Sequence, residues 1–212
     1  MKALTLLLLT TIALATAPAK SPAAAAAEPP CCRVGLPPGK FSEKSFYRLD
    51  STWTADVGKE VKLSALRGRP QVLALFFASC SHSCPLIVNE MKTIEAALPP
   101  ALRERVDFLL VSIDPDRDTP KALRAFRKKY DLSPQHWSLL TGKAKDIRTL
   151  ADRVGFRYSP GSTLQYAHSI LITILDADGV IVFQQVGLGN TPDNALAALA
   201  KIPLPKTKPT EQ

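Results

Sequence analysis

Two largely apolar runs, residues 71–77 and 106–113, constrain this chain more than any other feature. Both are of strand length. Neither alternates apolar with polar residues, so each must be buried on both faces at the centre of a sheet. Between them Pro85 opens a segment in which Ile87, Met91, Ile94 and Leu98 form an apolar stripe, the pattern of a helix laid on that sheet. Thr119 as N-cap, with Pro120 in the first turn, begins a second helix running to about Tyr130. Residues 137–140 predict a short strand, and residues 144–154 a helix that Gly155 stops.

The order then changes. Residues 169–175 and 180–185 are strand-like, and the turn between them, Asp176 to Gly179, predicts a hairpin. Its Asp-x-Asp-Gly pattern also opens calcium loops, but the further ligands of such a loop are missing. A last helix spans residues 192–200. Residues 46–50 and 60–63 are expected to form an added N-terminal hairpin. Strand–helix–strand, then helix, hairpin and helix, is the chain order of a thioredoxin-like domain. The expected fold class is therefore α/β, thioredoxin-like, with an added N-terminal hairpin and a C-terminal β-hairpin.

The N-terminus carries an export pattern. Lys2 precedes an apolar run over residues 3–15, followed by the small residues Ala15, Ala17 and Ala19. The run falls short of the roughly 20 residues of a membrane span. Residues 1–19 are expected to be a signal peptide or short anchor, and residues 20–40 an Ala/Pro-rich linker. Residues 41–202 form the domain and 203–212 a loose tail. The expected location is periplasmic or otherwise extracytoplasmic, with the protein released or tethered through its N-terminus. A net charge of +8 suits an acidic partner, anionic lipid or nucleic acid. Export argues against nucleic acid. The basic stretch 121–129 is expected to be the solvated face of its helix, because Leu123, Phe126 and Tyr130 share the opposite face.

Four cysteines in an exported chain usually mean disulfides, but these tie no distant segments together. Cys31 and Cys32 are adjacent in the linker, where they could be a metal-capture point on a flexible arm or a redox reserve. Cys80 and Cys84 follow the first core strand and flank the start of a helix. Residues four apart share a helix face, so both sulfurs can aim at one point or close a disulfide. The N–H groups and positive end of a helix stabilise thiolates there. A thiolate serves both soft-metal capture and disulfide exchange, and the pair alone leaves both open beside plain stapling. His82, between them, is a further ligand, a local cation or an exposed loop imidazole. Asp114, Asp116 and Asp118 resemble an acidic metal loop. The preferred reading has Asp118 and Thr119 capping a helix while Asp114 and Arg117 brace the site.

Leu66-Arg67-Gly68, Cys80-x-x-x-Cys84-Pro85, Val111 through Pro120, His168-Ser169 at the start of the C-terminal hairpin, Asp176 and Gly179 occur together and in order. On these motifs the chain resembles the Sco/SenC family of copper chaperones over roughly residues 36–190. The resemblance implies a thioredoxin-like fold and copper held by Cys80, Cys84 and His168. It also implies delivery of Cu to the copper centre of a respiratory oxidase, or reduction of that centre's cysteines. Its implied partners are a copper-enzyme client, an oxidase subunit above all, and a copper donor protein. Thiolates suit Cu(I), and imidazole suits Cu(I) and Cu(II) alike. Ala167 stands where many relatives carry Asp, which leaves the hydrogen bond that orients the imidazole unassigned but not its ability to ligate. Three functions stay in contention. A metal carrier needs Cys80, Cys84 and His168 together. A thiol-disulfide reductase needs Cys80 and Cys84 as a redox pair. Against it stand the three-residue spacer and the lack of Pro around residue 168. A thiol peroxidase or redox sensor would use one thiolate, yet residues 76–79 lack the Pro and Thr expected before a peroxidatic cysteine.

Overall fold

A computed structural model describes residues 30–32, 41–160 and 166–203. The expected signal peptide or anchor, most of the linker and the loose tail lie outside the described residues.

In chain order the strands are β1 (Thr52–Ala55), β2 (Glu60–Lys62), β3 (Gln71–Phe76), β4 (Asp107–Ser112), β5 (Trp137–Gly142), β6 (Tyr158–Pro160), β7 (Tyr166–His168), β8 (Leu171–Leu175) and β9 (Ile181–Val186). The helices are α1 (Ser83–Ala97), α2 (Pro100–Arg103), α3 (Pro120–Tyr130), α4 (Ala144–Val154) and α5 (Asp193–Ala200). Seven strands form one sheet in the order β2-β1-β5-β4-β3-β8-β9, and β6 pairs with β7 in a separate ribbon. The core is parallel: Leu73 pairs with Leu109, and Leu110 with Leu139. Every residue of β3 and β4 is buried, the polar Gln71, Asp107 and Ser112 included, as the centre of a covered sheet requires. Antiparallel hairpins flank this core, β1–β2 against β5 and β8–β9 against β3. The architecture is the expected thioredoxin-like one.

Local signals act as anticipated in α3 and α4. The Thr119 side chain accepts from the Ala122 N–H at 3.3 Å, and Gly155 closes α4 in the left-handed conformation, φ 72°. In the β8–β9 turn, Asp176 Oδ1 accepts from the N–H groups of Asp178 and Val180. Its carboxylate is thus a turn former. Gly179 has φ 76°, and a Cβ there would lie 2.8 Å from the Tyr47 ring. Both the turn and the packing demand glycine.

Four expectations need correction. The first arm of the N-terminal hairpin is β1, at residues 52–55, and not residues 46–50. Ser45 Oγ accepts from the Tyr47 N–H and winds residues 46–48 into a 3-10 turn. Phe46 N–H then bonds the Gly179 carbonyl at 2.8 Å, which buries both aromatic residues against the far hairpin. Second, α1 begins at Ser83, two residues before Pro85. The first four N–H groups of a helix lack intrahelical partners, so Pro85 at the third position breaks no bond. Third, Cys31 does not ride a flexible arm. It is buried in a 3-10 turn, with its N–H donating to Ser138 Oγ at 3.0 Å. The Cys32 side chain lies outside the described residues. Fourth, His168 does not open the β8 strand but ends the β6–β7 ribbon, opposite Tyr158.

Candidate metal centre

The sulfur half of the site is built where β3 meets α1. After Phe76 the chain turns: Cys80 N–H bonds the Phe77 carbonyl at 3.1 Å. Ala78 N–H donates to Asp118 Oδ2 at 2.9 Å, and Ser112 Oγ–H donates to the same oxygen at 2.6 Å. Asp118 therefore ties the cysteine loop to the end of β4 and does not cap α3, a task left to Thr119. Burial raises the Asp118 pKa, although the bonds from Ser112 and Ala78 favour its charge.

The two cysteines differ sharply. Burial opposes ionisation of Cys80, but the N–H groups of Cys84 and His82, the Cys84 thiol and the Ser83 hydroxyl outweigh it. Together they lower its pKa to about 7. The Cys84 N–H lies 3.4 Å from Cys80 Sγ, one of the unpaired donors of the helix start. Burial pushes the Cys84 thiol well up, with the neighbouring Cys80 and Asp118 adding to it. Cys80 is thus the thiolate of the pair and Cys84 the protonated reserve.

The imidazole half arrives 84 residues later in sequence. His168 stacks on Phe156 at 5.8 Å and meets the edge of Phe77 at 5.8 Å. Its Nδ1 lies 2.7 Å from the Ser169 carbonyl oxygen. A carbonyl only accepts, so Nδ1 carries the proton and Nε2 presents its lone pair to the sulfurs. Ser169 thereby performs the orienting that an acidic residue at position 167 would have supplied. Nε2 lies 3.9 Å from Cys84 Sγ and 3.0 Å from Ser83 Oγ. The ligand atoms of Cys80, Cys84 and His168 all lie within 4.8 Å of one another. Among the described residues this is the one cluster of three or more metal-binding side chains.

The accessory candidates stand apart from it. His82 is exposed, its Nδ1 3.0 Å from Ser81 Oγ. Asp114 pairs with Arg117 and accepts from the Tyr166 hydroxyl at 3.4 Å, and the Arg117 guanidinium lies over the Tyr166 ring. Asp114 thus reaches the histidine ribbon through Tyr166 and stays outside the ligand cluster. Cys31 lies outside the cluster. Ser83, which sequence reasoning passed over, sits at the centre of the site, 3.8 Å from Cys80 Sγ as well as beside His168. No local signal announced it, because the helix was expected to open at Pro85 and only the structure places Ser83 at its first position.

The family model described as SCO1/SenC matches residues 42–203. The chain belongs to the SCO1/SenC family. A SCO1 protein homolog of Bacillus subtilis is 29% identical over 141 residues, covering 64% of this chain and 71% of the relative. The chain spans only 44–57% of the length of the other curated relatives it matches. Among solved structures, Bradyrhizobium japonicum ScoI with copper bound is 26% identical with a TM-score of 0.59. The match covers 71% of this chain and 96% of that one. BsSco, described as a Sco family cytochrome c oxidase assembly protein with a disulfide switch, is 26% identical with a TM-score of 0.63. That match covers 73% of this chain and 92% of BsSco. This SCO1/SenC domain therefore has the Sco-type thioredoxin-like fold, with its Cys-x-x-x-Cys and distant histidine gathered at one point. Among the described residues no helix is long and apolar enough to cross a membrane.

Proposed function

We propose that this chain is a copper carrier in which Cys80, Cys84 and His168 are the ligands. The observation that carries the reading is the position of His168 Nε2. Its sister nitrogen is committed to a carbonyl, and Nε2 itself lies 3.9 Å from Cys84 Sγ and within 4.8 Å of Cys80 Sγ. Two sulfur ligands and one imidazole suit Cu(I), and the imidazole also accommodates Cu(II). A three-ligand site leaves an edge at which a partner's ligand takes the ion over, as a carrier requires. The copper bound by the Bradyrhizobium japonicum relative supports the choice of metal. The oxidase-assembly role of BsSco supports a respiratory oxidase, or a similar copper enzyme, as recipient, with a copper donor protein upstream. We place the carrier outside the cytoplasm, exported by residues 1–19 and either released or tethered.

The test is anaerobic titration of the reduced chain with Cu(I) and Cu(II), beside a His168→Ala variant. One Cu per chain is expected, with binding weakened in the variant. Equal binding by both, together with full disulfide-reducing activity in the variant, would refute the carrier reading.

A second reading, reduction of a client's disulfide, rests on the split between the two thiols. A Cys80 thiolate attacks one sulfur of the client disulfide and releases the other as a thiolate. Cys84, once deprotonated, then attacks Cys80 Sγ, closing the Cys80–Cys84 disulfide and freeing the second client thiol. The two functions exclude each other at any instant, because the oxidised pair has no thiolate for the metal.

A further inference from the structure

We propose that Ser83 is a positioning residue that holds the ligand set together before loading and competes with the metal for His168. This rests on the copper reading above. The argument is proton bookkeeping at three atoms. Nδ1 of His168 donates to the Ser169 carbonyl, so Nε2 is an acceptor. The Ser83 hydroxyl 3.0 Å away is therefore the donor, and its one proton is spent on the lone pair that a metal ion needs. The same hydroxyl lies 3.8 Å from Cys80 Sγ. Nε2 cannot serve Ser83 and a metal together. On loading, the hydroxyl turns from Nε2 toward Cys80 Sγ, where a thiolate accepts the same proton. On release it turns back.

The consequence is a site preformed at a modest cost in affinity. Ser83 keeps the imidazole, carried on its own ribbon, pointed at the sulfurs, and it gives Nε2 a partner as soon as the ion leaves. A bond of this kind lowers metal affinity by about three- to tenfold. Such a device suits a carrier, which must let go of its ion. Cys84 also reaches across, but its sulfur stands 3.9 Å from Nε2 against 3.0 Å for the Ser83 hydroxyl, while His82 turns to Ser81 and Asp114 is taken by Arg117 and Tyr166.

The experiment compares wild type, Ser83→Ala and Ser83→Thr in the reduced full chain, all at the same pH. Cu(I) affinity is read by competition with a chromophoric Cu(I) chelator. Before any Cu is added, the His168 ring nitrogens are read by 15N NMR, assigned by their loss in His168→Ala. Ser83→Ala is expected to bind Cu(I) about three- to tenfold tighter and to shift the Nε2 signal toward that of an unbonded lone pair. Ser83→Thr, which keeps the hydroxyl, should match wild type in both. Affinity in Ser83→Ala equal to or below wild type overturns the proposal, as does an Nε2 signal that ignores the substitution. If the wild-type chain takes up no Cu(I), the copper reading fails. The Nε2 signal then decides alone whether Ser83 holds the imidazole.

Discussion

The cysteines and the histidine meet at one point but stand on very different ground. Cys80 and Cys84 lie between a strand buried along its whole length and the first turn of α1, with Asp118 anchoring their loop from behind. His168 ends a two-stranded ribbon outside the main sheet, half-buried, and is held by two aromatic rings, one carbonyl and Ser83. Shallowly packed elements open at lower cost than core strands. The sulfurs are therefore the fixed half of the site, where thiol chemistry is set. The imidazole is the adjustable half, able to follow an ion or a docking partner without disturbing the sheet.

The strongest way to break this comparison is to remove a sulfur. Cys84→Ser should weaken Cu(I) binding by more than about a hundredfold, beyond the loss from altering an outer-shell partner. A variant within tenfold of wild type in an anaerobic competition assay would show that the fixed half is not the main ligand donor. Next in size is Asp118→Ala, which strands the Ala78 N–H and Ser112 hydroxyl inside the protein. It should cost about 2–4 kcal/mol of stability by urea unfolding. A cost under 1 kcal/mol would mean the cysteine loop needs no anchor.

The thiols sharpen the comparison through pH. Because the Cys80 pKa is lowered to about 7, its thiolate fraction is half at that pH and falls about tenfold per unit below it. Cys84 is displaced upward, so it stays protonated through the neutral range. Iodoacetamide should modify Cys80 first, with a rate half-maximal near pH 7, as read by mass spectrometry of the reduced chain. Modification of Cys84 first would invert the assignment. The smallest effect belongs to the ribbon. Tyr166→Phe removes one long hydrogen bond to Asp114, and should change stability by less than about 0.5–1 kcal/mol and Cu(I) affinity by less than about threefold. A loss as large as that of Asp118→Ala would make the ribbon as rigid as the core and erase the difference.

What the sequence disclosed follows from how local each signal is. The β3 and β4 runs, the Thr119 cap, the Gly155 stop and the Asp176–Gly179 turn are decided by a few neighbouring residues, and each stands where it was expected. Residues 46–48 look strand-like in isolation, yet Ser45 winds them into a 3-10 turn that a bond to Gly179, more than 130 positions away, then seats against the far hairpin. Cys31 is likewise fixed by Ser138, a contact no local pattern could announce. At the site, the ligand types and their spacing were legible in the motifs. The groups that tune them were not, because Asp118, Ser83 and Ser169 act through contacts that exist only once β4, α1 and β7 have come together.

The 84-position separation of Cys84 and His168 carries one more consequence. An ion held by both halves is a removable cross-link spanning more than a third of the chain. Closing a loop of this size in the unfolded chain is worth about 4–5 kcal/mol of chain entropy when the link is permanent. On the proposed carrier reading, a chain that surrenders its ion therefore also surrenders a tie between the end of the first core strand and the β6–β7 ribbon. The loaded form should resist heat and proteolysis better than the form that has just delivered, so delivery and loosening of the chain become one event.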